Sequence, residues 1–384
     1  MQSDAKDTAV LIPSFHPDHR LAPYVRALLE AGLGKIVVVD DGSGPDSLPF
    51  FDSITPHERL EVIHYQPNRG KGVALKRGME YLRDHCPDCA YIITADSDGQ
   101  HTVPDVLRMC EELHRFGDAA SEEKTQPVGM LLGSRDFSQP HVPNKSRTGN
   151  RITSVVFRLL YGRWVQDTQT GLRGFSRELL PAMIAVKGDR YEYEMNMLIF
   201  CATSKTPIRA LPIETVYENN NEGSHFRAVR DSARIYGVIF AGFFRFISSS
   251  ALSFLVDYGT YRLLNFLLLK GAIPSLEKWI HLGMFNLLPR IAIATALARL
   301  VSGTVNFLVN KRFVFDHSGP VGKSLPRYLG VFFLIMTLSA VLTSNLHLWL
   351  GWSENAVKIP VDILLFFLSY LLQRKWVFLK EIPH

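Results

Sequence analysis

The chain has 384 residues, 47 % of them hydrophobic and 21 % charged, and a formal net charge of +5. That length exceeds one ordinary core, so two domains are expected. So small a net charge gives no reason to expect a nucleic-acid partner and leaves membrane phosphates open.

The opening "MQSDAKDTAVLIPSF" lacks a basic region followed by a long apolar run, so no cleaved signal is expected. From Thr8 onward, short apolar runs alternate with helical spacing. "TAVLIPSF" predicts a strand and 21–31 a helix; "KIVVVDDGS" and "LEVIHY" predict strands, and 72–83 a helix. "CPDC" sets Cys86 and Cys89 in a lone C-x-x-C, which without a second pair or a histidine cluster predicts ordinary buried thiols. "AYIITADSD" and "VGMLLGSR" are the next strands. Continuous apolar strands separated by helices suit a parallel sheet covered on both faces. In such sheets ligands bind at the carboxyl ends of strands.

Three loops at those ends carry polar side chains: Asp40, Asp41, Gly42 and Ser43; then Asn68, Arg69, Gly70, Lys71 and Gly72; then Asp96, Asp98 and Gln100. Glycine allows close backbone approach to a phosphate, and a helix N-terminus favours an anion. Any one of these loops also fits simple capping of backbone N–H groups. Three at one sheet edge point to a nucleotide site. Asp96 and Asp98 can each offer an oxygen to one cation and Gln100 a neutral carbonyl, a hard donor set suited to Mg²⁺ or Mn²⁺. Such a cation would neutralise a diphosphate leaving group. The chain has no G-x-x-x-x-G-K-[ST] and no G-x-G-x-x-G after the first strand, which argues against a P-loop enzyme and a dinucleotide oxidoreductase.

"IPSF", "VVVDDGS", "NRGKG", "ITADSDGQH" and "DTQTGLRGF" occur in the order of the motifs of glycosyltransferase family 2. Over about Thr8 to Arg230 the chain resembles its polyprenyl-phosphate sugar synthases, of the dolichyl-phosphate mannose synthase type. The resemblance implies a GT-A fold, α/β with a Rossmann-like, mostly parallel sheet. It implies donor contacts from Pro13, Ser14, Asp40, Asp41, Asn68, Lys71 and Asp96, and a metal on Asp96, Asp98 and Gln100. Where many relatives have Asn-Glu after the first-strand proline this chain has "SFHPDH", and Asp18 is the candidate for that acidic role. Asp98, Asp167 and Arg173 are the catalytic candidates. Arg135, Arg147 and Arg151 are candidates for the acceptor phosphate; Arg147 and Arg151, four apart, share a helix face with Lys145 nearby, and the pattern alone equally fits a solvated basic face. Glu192 and Glu194 fall in a first helical turn, where the dipole favours them without any further role.

A lipid monophosphate is already mostly dianionic, with a second pKa of about 6, so it needs no general base. The expected reaction is an inverting single displacement in which basic residues and a cation shield two anionic substrates. Asp167 is the fallback base.

After a loop expected over 219–224, Arg227, Arg230 and Arg234 recur at helical spacing with aromatics between them, as on an interfacial amphipathic helix. His225, Arg227 and Arg230 join the acceptor-phosphate candidates by family resemblance. Four apolar segments follow, 246–269, 291–309, 328–350 and 359–378, each near the roughly 20 residues a spanning helix needs. Lys311, Arg312, Lys323 and Arg327 lie between the second and third, and Arg374, Lys375 and Lys380 at the end of the fourth; both termini are therefore expected in the cytoplasm, with the bacterial inner membrane the expected location. Lys270, Lys278 and Arg290 in the first connection fit that orientation less well. "NFLVNKRFVF" and "SYLLQRKWVF" end the second and fourth segments and predict two duplicated helical hairpins. This half resembles the GtrA-like membrane family, an all-α domain of four transmembrane helices, for which anchoring, lipid positioning and lipid-sugar transfer are the implied roles. Asp257 and Arg299, charges within the spans, are expected to pair.

The domains expected are thus 1–222, a juxtamembrane helix over 223–245, and 246–384. The expected partners are a nucleotide sugar, a polyprenyl phosphate (undecaprenyl or dolichyl) and the bilayer. UDP-glucose, UDP-N-acetylglucosamine and GDP-mannose all stay open as donors, and a homo-oligomer stays open as the assembly. The competing readings are a polysaccharide synthase, a glycosyltransferase acting on another lipid, and a transport or scaffold protein with an inactive first half. "QRKW" lies at the end of the last span and lacks the Q-x-x-R-W spacing of the polysaccharide synthases.

Overall fold

The computed structural model describes residues 5–123, 129–140, 142–214, 228–269, 280–282, 285–287, 289–315, 317 and 319–378. The loop expected over 219–224, with His225 and Arg227, lies outside these residues, as do Lys270, Glu277, Lys278 and Lys380. The chain divides into two units, Met1–Ile239 and Phe240–His384.

In the first unit, β1 (Thr8–Ser14), α1 (Leu21–Glu30), β2 (Lys35–Asp41), α2 (Leu48–Asp52), β3 (Leu60–Tyr65), α3 (Lys71–His85), β4 (Tyr91–Thr94) and α4 (Val103–Glu123) alternate as the periodicity predicts. β5 (Met130–Arg135), α5 (Asn144–Tyr161), β6 (Arg173–Ser176), α6 (Leu180–Ala185), α7 (Glu192–Thr203) and β7 (Ile208–Ile213) complete the seven-stranded sheet, in the order β3-β2-β1-β4-β6-β5-β7. Only β6 runs antiparallel to its neighbours; the other pairings are parallel. β1 is buried at every position, which accounts for its unbroken apolar run, since helices cover both faces. Leu21, Val25 and Leu28 bring α1 onto the core that Val10, Ile12, Val38 and Ile93 supply from the sheet. Cys86 and Cys89 are buried free thiols, and burial pushes Cys89 up to about 11. At that value the thiol stays protonated near neutral pH, so neither redox nor metal chemistry is invited.

One helix, α8 (Ala228–Leu263), covers both the expected juxtamembrane helix and the start of the first apolar segment. No proline interrupts this run, and its aromatics continue the apolar surface, so the helix passes without interruption through residue 245. Within the first unit its early turns rest on α5: Tyr236 Oη lies 3.2 Å from Thr153 Oγ1, and Tyr161 Oη donates to the Ile239 carbonyl at 2.9 Å.

The second unit continues with a short hairpin, β8 (Ile280–Leu282) and β9 (Phe285–Leu287), and then α9 (Pro289–Val309), α10 (Val321–Leu350) and α11 (Glu354–Leu372). Among the described residues, three helices, over Arg230–Phe266, Pro289–Val314 and Val321–Ser339, are long and apolar enough to cross a membrane. α11 is the fourth apolar helix and packs its Val357, Val361 and Leu365 against α10. The internal echo has a structural counterpart: both copies end in a π turn, Asn310–Val314 after α9 and Gln373–Val377 after α11. Asn310 Nδ2 donates to Gln373 Oε1 at 2.9 Å, and the Phe315 and Phe378 rings stack 5.2 Å apart. Equivalent residues of the two copies thus touch one another, as duplicated hairpins related by a two-fold would require.

Candidate active site

Chain order reverses between β1 and β4, the place where an open α/β sheet leaves a crevice at its carboxyl edge. The loops after these strands meet there: a Cβ on Gly99 would lie 4.0 Å from the Arg20 side chain. Asp96 and Asp98 stand in this crevice, two and four residues past the end of β4.

Burial works to raise the Asp96 carboxyl, but cations outweigh it. Lys71 Nζ lies 2.7 Å from its Oδ1 and His101 Nε2 3.4 Å from its Oδ2, and together they hold it well below the ordinary carboxylate range. Lys71 also lies 3.0 Å from Glu194 Oε1; burial favours its neutral form, yet the two carboxylates raise it well above the usual lysine value. Asp98 moves the other way, raised by burial and then by the charge of Asp96, although the Gln100 backbone N–H donates to it at 3.0 Å. Lys71 and His101 offset part of the repulsion between the two carboxylates, and a divalent cation would offset more of it. Asp96, Asp98 and Gln100 carry oxygen donors of the kind that Mg²⁺ or Mn²⁺ takes. Among the described residues no group of three or more His, Cys, Asp or Glu side chains is arranged to hold a metal.

Glycines set this geometry. Gly70 and Gly72 are also required by packing. A Cβ on Gly72 would fall 2.6 Å from the Tyr193 Cβ, and one on Gly70 would fall 2.5 Å from the Asp189 carbonyl, so both let the starts of α3 and α7 close together. That closeness joins Glu194 to Lys71. A Cβ on Gly171 would lie 2.3 Å from Asp96 Oδ2, so the "DTQTGLRGF" loop lies directly on the carboxylate, and Thr94 Oγ1 donates to the Gly171 carbonyl at 2.8 Å. Asn150 on α5 pins the same loop, donating to the Gln166 carbonyl at 2.6 Å and accepting from the Thr168 N–H at 3.1 Å.

The other candidates have defined places. Asp41 accepts from Tyr65 Oη at 2.6 Å, from Asn68 Nδ2 at 2.9 Å and from the Gly70 N–H at 2.8 Å, so Asp41 and Asn68 tie the first of the three loops to the second. Asp40 accepts from the Ser43 N–H at 2.9 Å and lies 3.0 Å from His64 Nδ1. Pro13 pairs with Val39 at the end of β1, and next to it Ser14 is buried, its hydroxyl without a hydrogen-bond partner among the described residues. Asp18 pairs with Arg20 at 2.7 Å, and that contact lowers its carboxyl. Arg135 and Asp167, expected in separate roles, grip each other: Nε to Oδ2 at 2.7 Å and Nη2 to Oδ1 at 3.2 Å. Arg173 is 1 % exposed and donates to the carbonyls of Thr170 and Glu194, which makes it a brace between the loop and α7. Arg147 donates to the carbonyls of Phe137 and Gln139, while Arg151 and Arg230 are exposed. His101 and Asn150 were given no role by the sequence; His101 closes the same short motif as Asp96, whereas nothing local marks Asn150.

This fold and site define a glycosyl transferase of the GT-A kind. Residues 9–180 match glycosyl transferase family 2, and 245–378 match the GtrA/DPMS transmembrane domain. The uncharacterized protein MJ1222 of Methanocaldococcus jannaschii is 31 % identical over 212 residues, 54 % of this chain and 81 % of that protein. The chain belongs to glycosyl transferase family 2, and its second unit is a GtrA/DPMS transmembrane domain. It is also similar to the UDP-N-acetylglucosamine–dolichyl-phosphate N-acetylglucosaminyltransferase of Methanococcus voltae, 25 % identical over 54 % of this chain and 85 % of that one. The dolichyl-phosphate beta-glucosyltransferase of Saccharomyces cerevisiae is 25 % identical over 53 % of this chain and 65 % of its own length.

Proposed function

We propose that this protein moves one sugar from a nucleotide-sugar donor to a polyprenyl phosphate in the membrane, with inversion. The observation that carries the proposal is the carboxylate pair Asp96 and Asp98 at the switch point of the sheet, in a chain that continues into a transmembrane domain. The relatives named for transfer to dolichyl phosphate support the acceptor class. A divalent cation on Asp96, Asp98 and Gln100 would stabilise the charge that develops on the diphosphate. Lys71 and His101 keep Asp96 ionised, so that one ligand stays fully charged whatever occupies the crevice. The "DTQTG" loop and α7 set its position through Gly171 and Glu194.

A lipid phosphate brings its own anionic nucleophile, so no protein group has to accept a proton. That suits Asp167, whose carboxylate is occupied by Arg135. Arg151 and Arg230 are the exposed cations we assign to the acceptor phosphate, with His225 and Arg227 beside them in the sequence. Both termini are assigned to the cytoplasm, on the side where nucleotide sugars are made. The test is to incubate membranes containing the protein with labelled UDP-glucose, UDP-N-acetylglucosamine or GDP-mannose, plus undecaprenyl or dolichyl phosphate. A mild-acid-labile lipid carrying a single sugar is expected. A polymer, an alkali-labile glycolipid or no labelled lipid from any donor would refute the proposal.

A further inference from the structure

Lys71 opens α3 with a carboxylate on either side of its ammonium: Nζ lies 2.7 Å from Asp96 Oδ1 and 3.0 Å from Glu194 Oε1. One positive charge on a flexible four-carbon stem therefore has two seats within reach. The seats differ. The Asp96 side chain is 31 % exposed at the crevice, whereas that of Glu194 is 9 % exposed. Glu194 Oε1 is closed off from solvent and, among the described residues, takes no aligned hydrogen bond, so Lys71 meets it by distance alone. A buried carboxylate oxygen in that state is costly, and a partner that forms the bond in a second arrangement accounts for its persistence.

Glu194 is also fixed independently of Lys71. The buried Arg173 donates to its carbonyl, and Gly72 lets α3 and α7 close together. A substrate group in the crevice does not reach an oxygen that water does not reach, so the charge of Glu194 acts on Lys71. We propose that Lys71 is the resting counter-ion of Asp96 and that Glu194 receives its ammonium when a divalent cation takes Asp96. The ammonium turns from one carboxylate to the other, so neither Asp96 nor Lys71 is left unpaired in either state, and the affinity for the cation is set by this exchange. Glu194 is a positioning residue that acts through Lys71. The inference rests on the reading of Asp96 and Asp98 as cation ligands and adds to it the pair of side chains that tunes them.

The test is titration of Mn²⁺ into the full chain in nanodiscs of zwitterionic phospholipid, without nucleotide, with free Mn²⁺ read by electron paramagnetic resonance. Lys71→Met should bind Mn²⁺ about tenfold tighter than the parent, since Asp96 loses its competitor. Glu194→Gln should bind it about tenfold more weakly, since Lys71 is left with Asp96 alone; in the Lys71→Met background the same change should matter less than about threefold. Glu194→Asp keeps the charge but draws the seat back by one methylene, and should also weaken Mn²⁺ binding in a protein that circular dichroism shows to be folded. That variant decides the matter even where Lys71→Met does not fold. Lys76→Met removes a cation of α3 that pairs with Asp189, and should leave the affinity unchanged. Equal effects of Glu194→Gln in the two backgrounds, equal gains from Lys71→Met and Lys76→Met, or parental affinity in Glu194→Asp would reduce the pair to a general field and overturn the inference. Asp98→Asn, titrated alongside, separates the two levels. If it binds Mn²⁺ as the parent does, the cation reading falls and the exchange with it. Binding that depends on Asp98, with additive effects at Lys71 and Glu194, removes only the exchange.

Discussion

Lys71 is the side chain that the first unit can least do without. It is mostly buried between Asp96 and Glu194, and removing one partner of such a group leaves uncompensated charge in a poorly solvated place. Lys71→Met should therefore cost about 3 kcal/mol of stability, read by thermal or denaturant unfolding of the protein in detergent. Adding Asp96→Asn should recover part of that loss; no recovery would mean that the contact is not electrostatic. Asp98 carries the opposite expectation. Its native carboxyl is raised above the unfolded value, so the native state binds the extra proton and stability falls as pH rises through the native pKa. Metal-free Asp98→Asn should thus unfold at a higher temperature than the parent at pH 7, with the difference gone below about pH 4, where both states of the parent are protonated. The same variant should lose the rise in melting temperature that Mg²⁺ or Mn²⁺ gives the parent. An unchanged cation response would separate Asp98 from the metal.

At the scale of elements, the crevice is assembled by backbone contacts that only glycine allows. Gly171→Ala would drive a methyl into Asp96 and move the carboxylate by something near an ångström, so transfer should fall on the order of 100-fold while the sheet still forms. Circular dichroism and the labelled-lipid assay together check this; wild-type turnover would show that Asp96 does not need its present position. Strands and helices of the first unit were legible because β1, β2 and β4 are continuous apolar runs with polar residues massed at one end. A change from charged to aromatic residues marks where the surroundings of α8 alter without ending the helix. The local pattern could not show that Arg135 pairs with Asp167, because 32 residues and a whole helix separate the two in sequence.

For the whole molecule, the division into a soluble and a membrane unit follows from composition, and orientation follows from where the basic residues fall. On the proposed topology, with both termini in the cytoplasm, the turn at Ser353 between α10 and α11 faces the opposite side. A Ser353→Cys variant should react with a membrane-impermeant maleimide in intact cells, and Glu58→Cys should react only after the cells are opened. The native cysteines are buried and will contribute little background. Labelling in the reverse pattern would invert the topology and move the active site away from nucleotide sugars.

By itself the sequence determined the family, the first five strands along the chain, the acidic loop after β4 and the apolar second half, because each is written in residues close together; β6, β7 and the order of strands in the sheet came only with the fold. Only the tertiary structure decided which charges are joined. Lys71 meets Asp96 and Glu194, Gly171 lies against Asp96, and Asn310 meets Gln373, all across long separations where chain entropy and packing, rather than local pattern, settle the partner.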